Sequence, residues 1–210
     1  MVKIYNRSVG VLGGSFDPVH KGHLIISKIA LKKIKLNKIY WIITKKNPLK
    51  NKSSLLKDSH RLAMVREAVY DCPKLKASDV EFGLSKPNYT ANTLAHIIDK
   101  YPTHSFSLIM GEDNLRNFHK WKNHENILAN HTIYVYPRVL TSQEEEESKR
   151  LNNDQIDILK ANKNIVYCHD APVMKVSASF IRKSIKEKKD VRFLLSEPVH
   201  KYVEEMHFYK

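Results

Sequence analysis

Short apolar runs alternate along this chain with stretches in which apolar residues recur at helical spacing. Apolar runs of this kind are typical of parallel strands that are covered on both faces. They predict strands over 9–12, 38–44, 105–110, 132–136 and 164–168, and a strand pair over 74–84. Helical spacing predicts helices over 23–35, 58–71, 90–101, 113–121, 123–130, 177–188 and 197–206.

The alternation of strands and helices predicts an α/β fold with a doubly wound parallel sheet. Residues 45–57 are polar and are expected to form a loop, and residues 139–155 are expected to form a surface loop or the start of a solvated helix. No linker or internal repeat interrupts the pattern, so we expect one domain over residues 1–210, with a small helical part from about residue 177. In such folds ligands bind beyond the carboxyl ends of the strands, which directs attention to the strand-to-helix turns.

The turn after the first predicted strand carries the most informative residues. Gly13 and Gly14 allow a ligand to approach the backbone closely, and Gly22 is expected to keep one side of the turn open for a phosphate. His20 and His23 stand where the next helix begins, and a helix start favours anions. The turn has neither the dinucleotide pattern G-x-G-x-x-G nor a P-loop lysine, so H-x-G-H predicts another type of nucleotide-phosphate site.

Two later segments can be interpreted in more than one way. Ser177 and Ser179 open a predicted helix with Arg182 one turn in, which suits a second phosphate site, although Ser177 could simply cap the helix. Trp121 lies among polar neighbours, which favours stacking on a flat ligand ring. Asp113 could accept a hydrogen bond from a ribose hydroxyl, cap a helix, or do both.

The stretch 13–23 resembles the signature of the nucleotidyltransferases that carry an H-x-G-H motif, and the chain as a whole resembles their bacterial nicotinate-nucleotide adenylyltransferase family. The resemblance extends over nearly all 210 residues. Besides the first turn, the matching blocks are residues 47–50, 60–64, 87–94, 110–114 with Trp121, and 176–182. Asn88 stands where the family usually has serine, and Ala178 with Ser179 replaces a serine-threonine pair.

The resemblance implies a Rossmann-like nucleotidyltransferase fold and a reaction of ATP, as a magnesium complex, with nicotinate mononucleotide. His20 and His23 would contact the reacting phosphates. The implied ATP-binding residues are Gly13, Gly14, Ser15, Phe16, Gly22, Gly111, Asp113, Ser177, Ser179, Phe180 and Arg182. The implied acceptor-binding residues are Tyr89, Thr90 and Trp121. Lys50 is a further substrate-binding residue, which would hold the triphosphate together with Ser179 and Arg182, and Arg138 is a candidate because it follows Tyr136-Pro137. No protein metal site is expected.

Composition limits the partners and the cellular location that we expect. The net charge of +14 favours phosphate-bearing partners, but no nucleic-acid-binding signature accompanies it. No apolar run approaches the roughly 20 residues needed to cross a bilayer, and no signal peptide is evident, so we expect no membrane association. The two cysteines are too few for a disulfide framework and lack the spacing of a zinc site, so a reducing cytoplasm is expected.

Two alternatives remain open from the sequence. One is another H-x-G-H enzyme, such as a phosphopantetheine adenylyltransferase, although these usually have threonine at the position of His20. The other is a basic nucleic-acid-binding module without turnover, which the intact pair His20 and His23 disfavours. The sequence does not decide between a monomer and a homo-oligomer.

Overall fold

The computed structural model describes residues 5–45, 55–137, 159, 161–173 and 175–210. In these residues six strands form one sheet in the order β3-β2-β1-β4-β5-β6. The strands are β1 (Arg7–Gly14), β2 (Lys38–Ile43), β3 (Leu75–Ser78), β4 (His104–Gly111), β5 (Ile133–Tyr136) and β6 (Ile165–Tyr167). All are parallel, with helices on both sides of the sheet, which confirms the predicted doubly wound class.

In the described residues the α-helices are α1 (Lys21–Lys33), α2 (Asp58–Val69), α3 (Thr90–Lys100), α4 (Glu112–Arg116), α5 (His124–Asn130), α6 (Ala178–Lys186) and α7 (Glu197–Glu205). The helix predicted over 113–121 is wrong in part, because α4 ends at Arg116 and a 3-10 helix follows at Phe118–Lys120. The helical part expected from about residue 177 is present as α6 and α7. None of the helices in the described ranges is long and apolar enough to cross a membrane.

Two further local predictions need correction. The strand pair predicted over 74–84 is wrong, because only β3 is a strand and the chain then turns into a 3-10 helix at Val80–Gly83. Helix α1 begins at Lys21, so His20 is its N-cap residue and His23 lies inside its first turn. The helix therefore begins two residues earlier than the predicted range 23–35, and both imidazoles lie at its start.

The chain divides into two compact units by its backbone contacts. The β2 unit comprises Gly13–Asn88 and Val176–Lys210, and the β4 unit comprises Met1–Leu12 and Tyr89–Lys175. In the β2 unit, β2 pairs with β3 from Ile39 opposite Leu75 to Ile42 opposite Ser78. Residues 39–43 are all buried, as expected of a central parallel strand.

In the β4 unit, β4 lies between β1 and β5. Val9 pairs with Phe106, and Leu108 pairs with Ile133. Helix α3 buries Leu94 and Ile97. This unit therefore has its own apolar core, which holds the start of α3 and the turn after β4 in defined positions.

Candidate functional site

The turn from β1 into α1 is built around an aromatic contact in the β2 unit. Phe16 is buried and adopts a φ of 47°, a left-handed conformation that bulky residues rarely adopt. Its ring stacks on Trp41 of β2, with centroids 5.3 Å apart. A Cβ on Gly14 would lie 3.0 Å from the Phe16 ring. Gly14 thus makes room for Phe16, while packing on Trp41 offsets the unfavourable backbone conformation.

The two histidines of the motif lie against each other at the start of α1. Their ring centroids are 3.7 Å apart, and His23 also contacts the edge of the Phe16 ring at 5.1 Å. The His20 backbone N–H donates to Nδ1 of His23 at 3.2 Å. Because Nδ1 accepts, the hydrogen of the neutral His23 ring is on Nε2. The helix start therefore presents His23 as an N–H donor.

Gly22 has a different role from the one predicted. A Cβ at this position would lie 2.9 Å from Val176 Cγ1 and 3.0 Å from Nδ1 of His20. Gly22 is itself buried, so the space beside it is filled by protein. The prediction that Gly22 keeps one side of the turn open is wrong: the missing side chain lets the His20 ring and Val176 pack against the helix start.

Arg61 supports the same turn, and the sequence did not single it out. Its side chain is 1% exposed. It donates to the carbonyls of Ser15 at 2.6 Å and Thr44 at 2.8 Å, and it forms an ion pair with Asp58. Thr44 directly follows β2, so one guanidinium on α2 joins the chain segments that leave β1 and β2. The sequence showed an arginine inside an amphipathic helix, which is normally a surface residue, and placed it in the family-like block 60–64 without indicating a role.

Asp17 is a second buried polar residue of the turn, with 1% exposure. Arg182 of α6 donates to its backbone carbonyl at 2.6 Å, and the Tyr209 hydroxyl donates to Oδ1 at 2.7 Å. Burial and the neighbouring Asp17 carboxylate raise the pKa of Tyr209, which keeps its hydroxyl protonated. The structure thus brings Arg182 from the predicted second phosphate site to the turn that carries His20.

The start of α6 agrees with both interpretations of its serines. Ser177 is the N-cap residue, and its hydroxyl accepts the Phe180 N–H at 3.2 Å. Ser179 is exposed and accepts from Nη2 of Arg182 at 3.2 Å, so its own hydrogen can still be donated to a ligand. Phe180 is 55% exposed, which leaves a large apolar ring at this helix start without cover from the described residues.

The predicted acceptor residues lie in the β4 unit. Tyr89 is the N-cap residue of α3 and Thr90 its first residue, so the backbone N–H groups of these two residues have no partners within the helix, whereas the Asn92 N–H donates to the Tyr89 carbonyl at 2.9 Å. Trp121 is partly exposed and packs on the buried Phe118 at 5.5 Å. The ammonium of Lys122 lies 4.8 Å from the centre of the Tyr89 ring. The segment at Trp121 and the start of α3 are therefore neighbours in this unit.

Gly111 and Asp113 occupy the turn after β4. Gly111 is the N-cap residue of α4, and Asp113 belongs to its first turn. Asn117 donates to the backbone carbonyl of Asp113 at 3.3 Å. The helix dipole stabilises an acidic residue in a first turn, but the capping position is occupied by Gly111, so Asp113 is not the N-cap residue that the capping interpretation requires.

Three further positions complete the comparison with the sequence. Lys50 and Arg138 lie outside the described residues. Asn88, which departs from the family pattern, donates to the carbonyl of Glu81 at 3.0 Å and so ties the start of its segment to the 3-10 helix. In the parts of the chain that the structure describes, no group of three or more His, Cys, Asp or Glu side chains could hold a metal ion.

Comparison with known proteins gives consistent matches along most of the chain. The family model described as cytidylyltransferase-like matches residues 11–184. A relative from Christiangramia forsetii, named probable nicotinate-nucleotide adenylyltransferase, is 49% identical over 98% of this chain and 100% of its own length. A relative of the same name from Flavobacterium psychrophilum is 48% identical over 96% of this chain and 98% of its own.

Solved structures match in fold. The nicotinic acid mononucleotide adenylyltransferase of Plasmodium falciparum, complexed with NaAD, superposes with a TM-score of 0.72 over 97% of this chain and 98% of its own. The same enzyme complexed with APC gives a TM-score of 0.72 as well. At 18% sequence identity, these two likenesses show the fold alone.

Proposed function

Because the chain belongs to the cytidylyltransferase-like family and, within it, to the nicotinate-nucleotide adenylyltransferases, we propose that it transfers the adenylyl group of ATP to nicotinate mononucleotide in NAD biosynthesis. The products are the deamido dinucleotide and pyrophosphate. One observation in the structure carries the proposal at the level of residues: His20 and His23 lie together at the start of α1, with His23 held as an N–H donor.

His20 and His23 hydrogen-bond the phosphates of ATP around the α-phosphorus. An oxygen of the acceptor phosphate attacks this phosphorus and forms a new P–O bond, while the bond to the bridging oxygen of the leaving pyrophosphate breaks. The acceptor phosphate is already ionised at neutral pH, so the attack requires no strong general base. Catalysis then consists of positioning the two nucleotides and stabilising negative charge that develops on the phosphate oxygens.

The start of α6 binds the rest of the triphosphate. Ser177, Ser179 and Arg182 supply hydroxyl and guanidinium donors at a helix start, where the dipole also favours anions. Phe180 offers its exposed ring to the adenosine. At the first turn the nucleotide lies close to the backbone of residues 13–16. Gly22 contributes indirectly, because its missing side chain leaves space for the His20 ring.

The acceptor is recognised by residues of the β4 unit. The free N–H groups at Tyr89 and Thr90 suit the carboxylate of nicotinate better than a carboxamide, whose NH₂ group would face them as another donor. Trp121 stacks on the pyridine ring. Gly111 with Asp113, in the same unit, contacts the ribose of ATP. Lys50 and Arg138 are proposed to contact phosphates on the basis of the family resemblance and of their position in the sequence.

Magnesium enters with ATP and is held mainly by phosphate oxygens and water, where it offsets phosphate charge. The residues of the first turn fit this arrangement, because the Asp17 carboxylate is already engaged by Tyr209 and faces Arg182. We further propose that residues 1–210 act as one domain in the cytoplasm, without nucleic-acid partners; a homo-oligomer is compatible with the sequence.

The experiment is an incubation of the protein with ATP and Mg²⁺ and, in turn, nicotinate mononucleotide, nicotinamide mononucleotide and phosphopantetheine, with dinucleotide product and pyrophosphate measured. We expect nicotinate mononucleotide to give the highest kcat/KM, by at least about tenfold, because an amide facing N–H donors loses hydrogen bonds. Equal kcat/KM for the first two acceptors would contradict the assigned carboxylate site. Turnover with phosphopantetheine alone would contradict the function.

A further inference from the structure

The buried Asp17 carboxylate has two potential partners and makes a hydrogen bond to only one of them. The Tyr209 hydroxyl donates to Oδ1 at 2.7 Å. Nη1 of Arg182 lies 3.9 Å from Oδ2, which is within range of an ion pair but too long for a hydrogen bond. Oδ2 has no hydrogen-bond partner among the described residues. A carboxylate that is 1% exposed and only half satisfied attracts any donor within reach.

Arg182 is held beside this carboxylate and is not saturated by it. Its Nη1 donates to the backbone carbonyl of Asp17 at 2.6 Å, and its Nη2 donates to Ser179 at 3.2 Å. A guanidinium has five N–H groups, so these two bonds leave others for a ligand. The side chain is also 23% exposed, so a phosphate can reach it.

Tyr209 is itself held firmly in place. It follows α7, and the neighbouring Phe208 packs on the ring of His60 at 4.9 Å and on the ring of Tyr202 at 5.9 Å. The Phe208 backbone N–H donates to Val203 at 3.1 Å. The Tyr209 hydroxyl that donates to Asp17 therefore belongs to a segment that packs on α2 and α7.

We propose that Tyr209 is a positioning residue for ATP: its hydroxyl holds the Asp17 carboxylate so that Arg182 remains available to the phosphates. If the hydroxyl is removed, Oδ1 loses its donor, and the carboxylate turns toward Arg182 to form a direct ion pair. That ion pair would use guanidinium N–H groups that otherwise face the triphosphate. The inference rests on the proposed function, because it assumes that Arg182 binds ATP.

The test is Tyr209→Phe in the full chain, compared with Tyr202→Phe as a matched control. Tyr202 belongs to the same unit, packs on the same Phe208, and loses a hydrogen bond to His60 at 3.0 Å instead of one to Asp17. KM for each substrate, kcat, and the Kd of a non-hydrolysable ATP analogue by calorimetry are measured for both variants and for the unaltered protein.

For Tyr209→Phe we expect KM for ATP and Kd for the analogue to rise about tenfold, because hydrogen bonds to charged groups are strong. KM for nicotinate mononucleotide should change by less than about twofold, as expected when only one substrate's site is altered. Tyr202→Phe should leave both KM values unchanged.

Three results would overturn the inference: an unchanged KM for ATP in Tyr209→Phe, an equal rise in both KM values, or the same rise in Tyr202→Phe. The last two would indicate general loosening of the unit. If the unaltered protein forms no dinucleotide, the proposed function fails instead, and the calorimetric comparison with the ATP analogue still tests the positioning by Tyr209.

Discussion

Two helix starts in the β2 unit carry the residues assigned to the phosphates of ATP, and they are built differently. At α1, the imidazole rings pack together and against Phe16, and a backbone N–H fixes the His23 ring. At α6, Ser179 and Phe180 are exposed, and the guanidinium of Arg182 donates to the backbone carbonyl of Asp17, 165 positions away. The rings of the first site are therefore fixed by packing, to which Trp41 and Val176 from distant segments also contribute, whereas Ser179 and Phe180 of the second site are open to solvent.

This difference predicts that changes at α1 affect the chemical step, while changes at α6 affect mainly the binding of ATP. A preorganised donor beside the reacting phosphorus contributes in the transition state, so its loss lowers kcat. A donor that holds the outer phosphates contributes equally before and during the reaction, so its loss raises KM. The following five variants test the comparison in order of decreasing effect.

The largest effect is expected for His23→Ala. Removal of one preorganised donor should lower kcat by about 10²–10³. The ring is only partly buried, so circular dichroism and thermal unfolding should show a folded protein. His96→Ala, at an exposed position of α3, is the control. A kcat near that of the unaltered protein would remove His23 from the mechanism.

Arg61→Met should lower the free energy of unfolding by about 3 kcal/mol, since it leaves buried carbonyl groups without donors. Chemical denaturation measures the change. Arg66→Met, on an exposed face of the same helix, should be nearly neutral. Equal stability losses in the two variants would show that the bonds from Arg61 to Ser15 and Thr44 do not hold the first turn.

Gly22→Ala should lower kcat by about 10- to 100-fold, because a small misplacement of a catalytic group is costly. The added Cβ would meet Val176 and the ring of His20 at 3.0 Å or less. Gly83→Ala is a matched control, since a Cβ there meets nothing within 4 Å. Unchanged turnover in Gly22→Ala would mean that the placement of the His20 ring is not critical.

The smallest effects are expected at α6. Ser177→Ala should lower the free energy of unfolding by about 1 kcal/mol through loss of the N-cap bond to Phe180. Ser179→Ala should leave stability within a few tenths of a kcal/mol, because its hydroxyl is exposed, and should raise KM for ATP about threefold. Steady-state kinetics and denaturation together separate the two serines. A stability loss in Ser179→Ala and a raised KM for ATP in Ser177→Ala would instead make Ser179 the capping residue and Ser177 the ligand of ATP.

The sequence by itself determined the features that depend on neighbouring residues. Apolar runs located β1, β2, β4, β5 and β6, and helical periodicity located the helices, because strand and helix signals repeat over a few positions. The motif around His20 and His23 was visible for the same reason. The strand pair over 74–84 failed because a short apolar segment does not distinguish a second strand from the 3-10 helix Val80–Gly83.

Only the tertiary structure decided what surrounds the first turn. The sequence pattern predicts Arg61 to be a surface residue of an amphipathic helix. In the structure it is buried and donates to carbonyls just after β1 and β2. The bond between Tyr209 and Asp17 joins residues 192 positions apart, and the role of Gly22 depends on Val176. Such contacts produce no periodic pattern in the sequence, because the two partners are far apart along the chain and meet only when the chain folds.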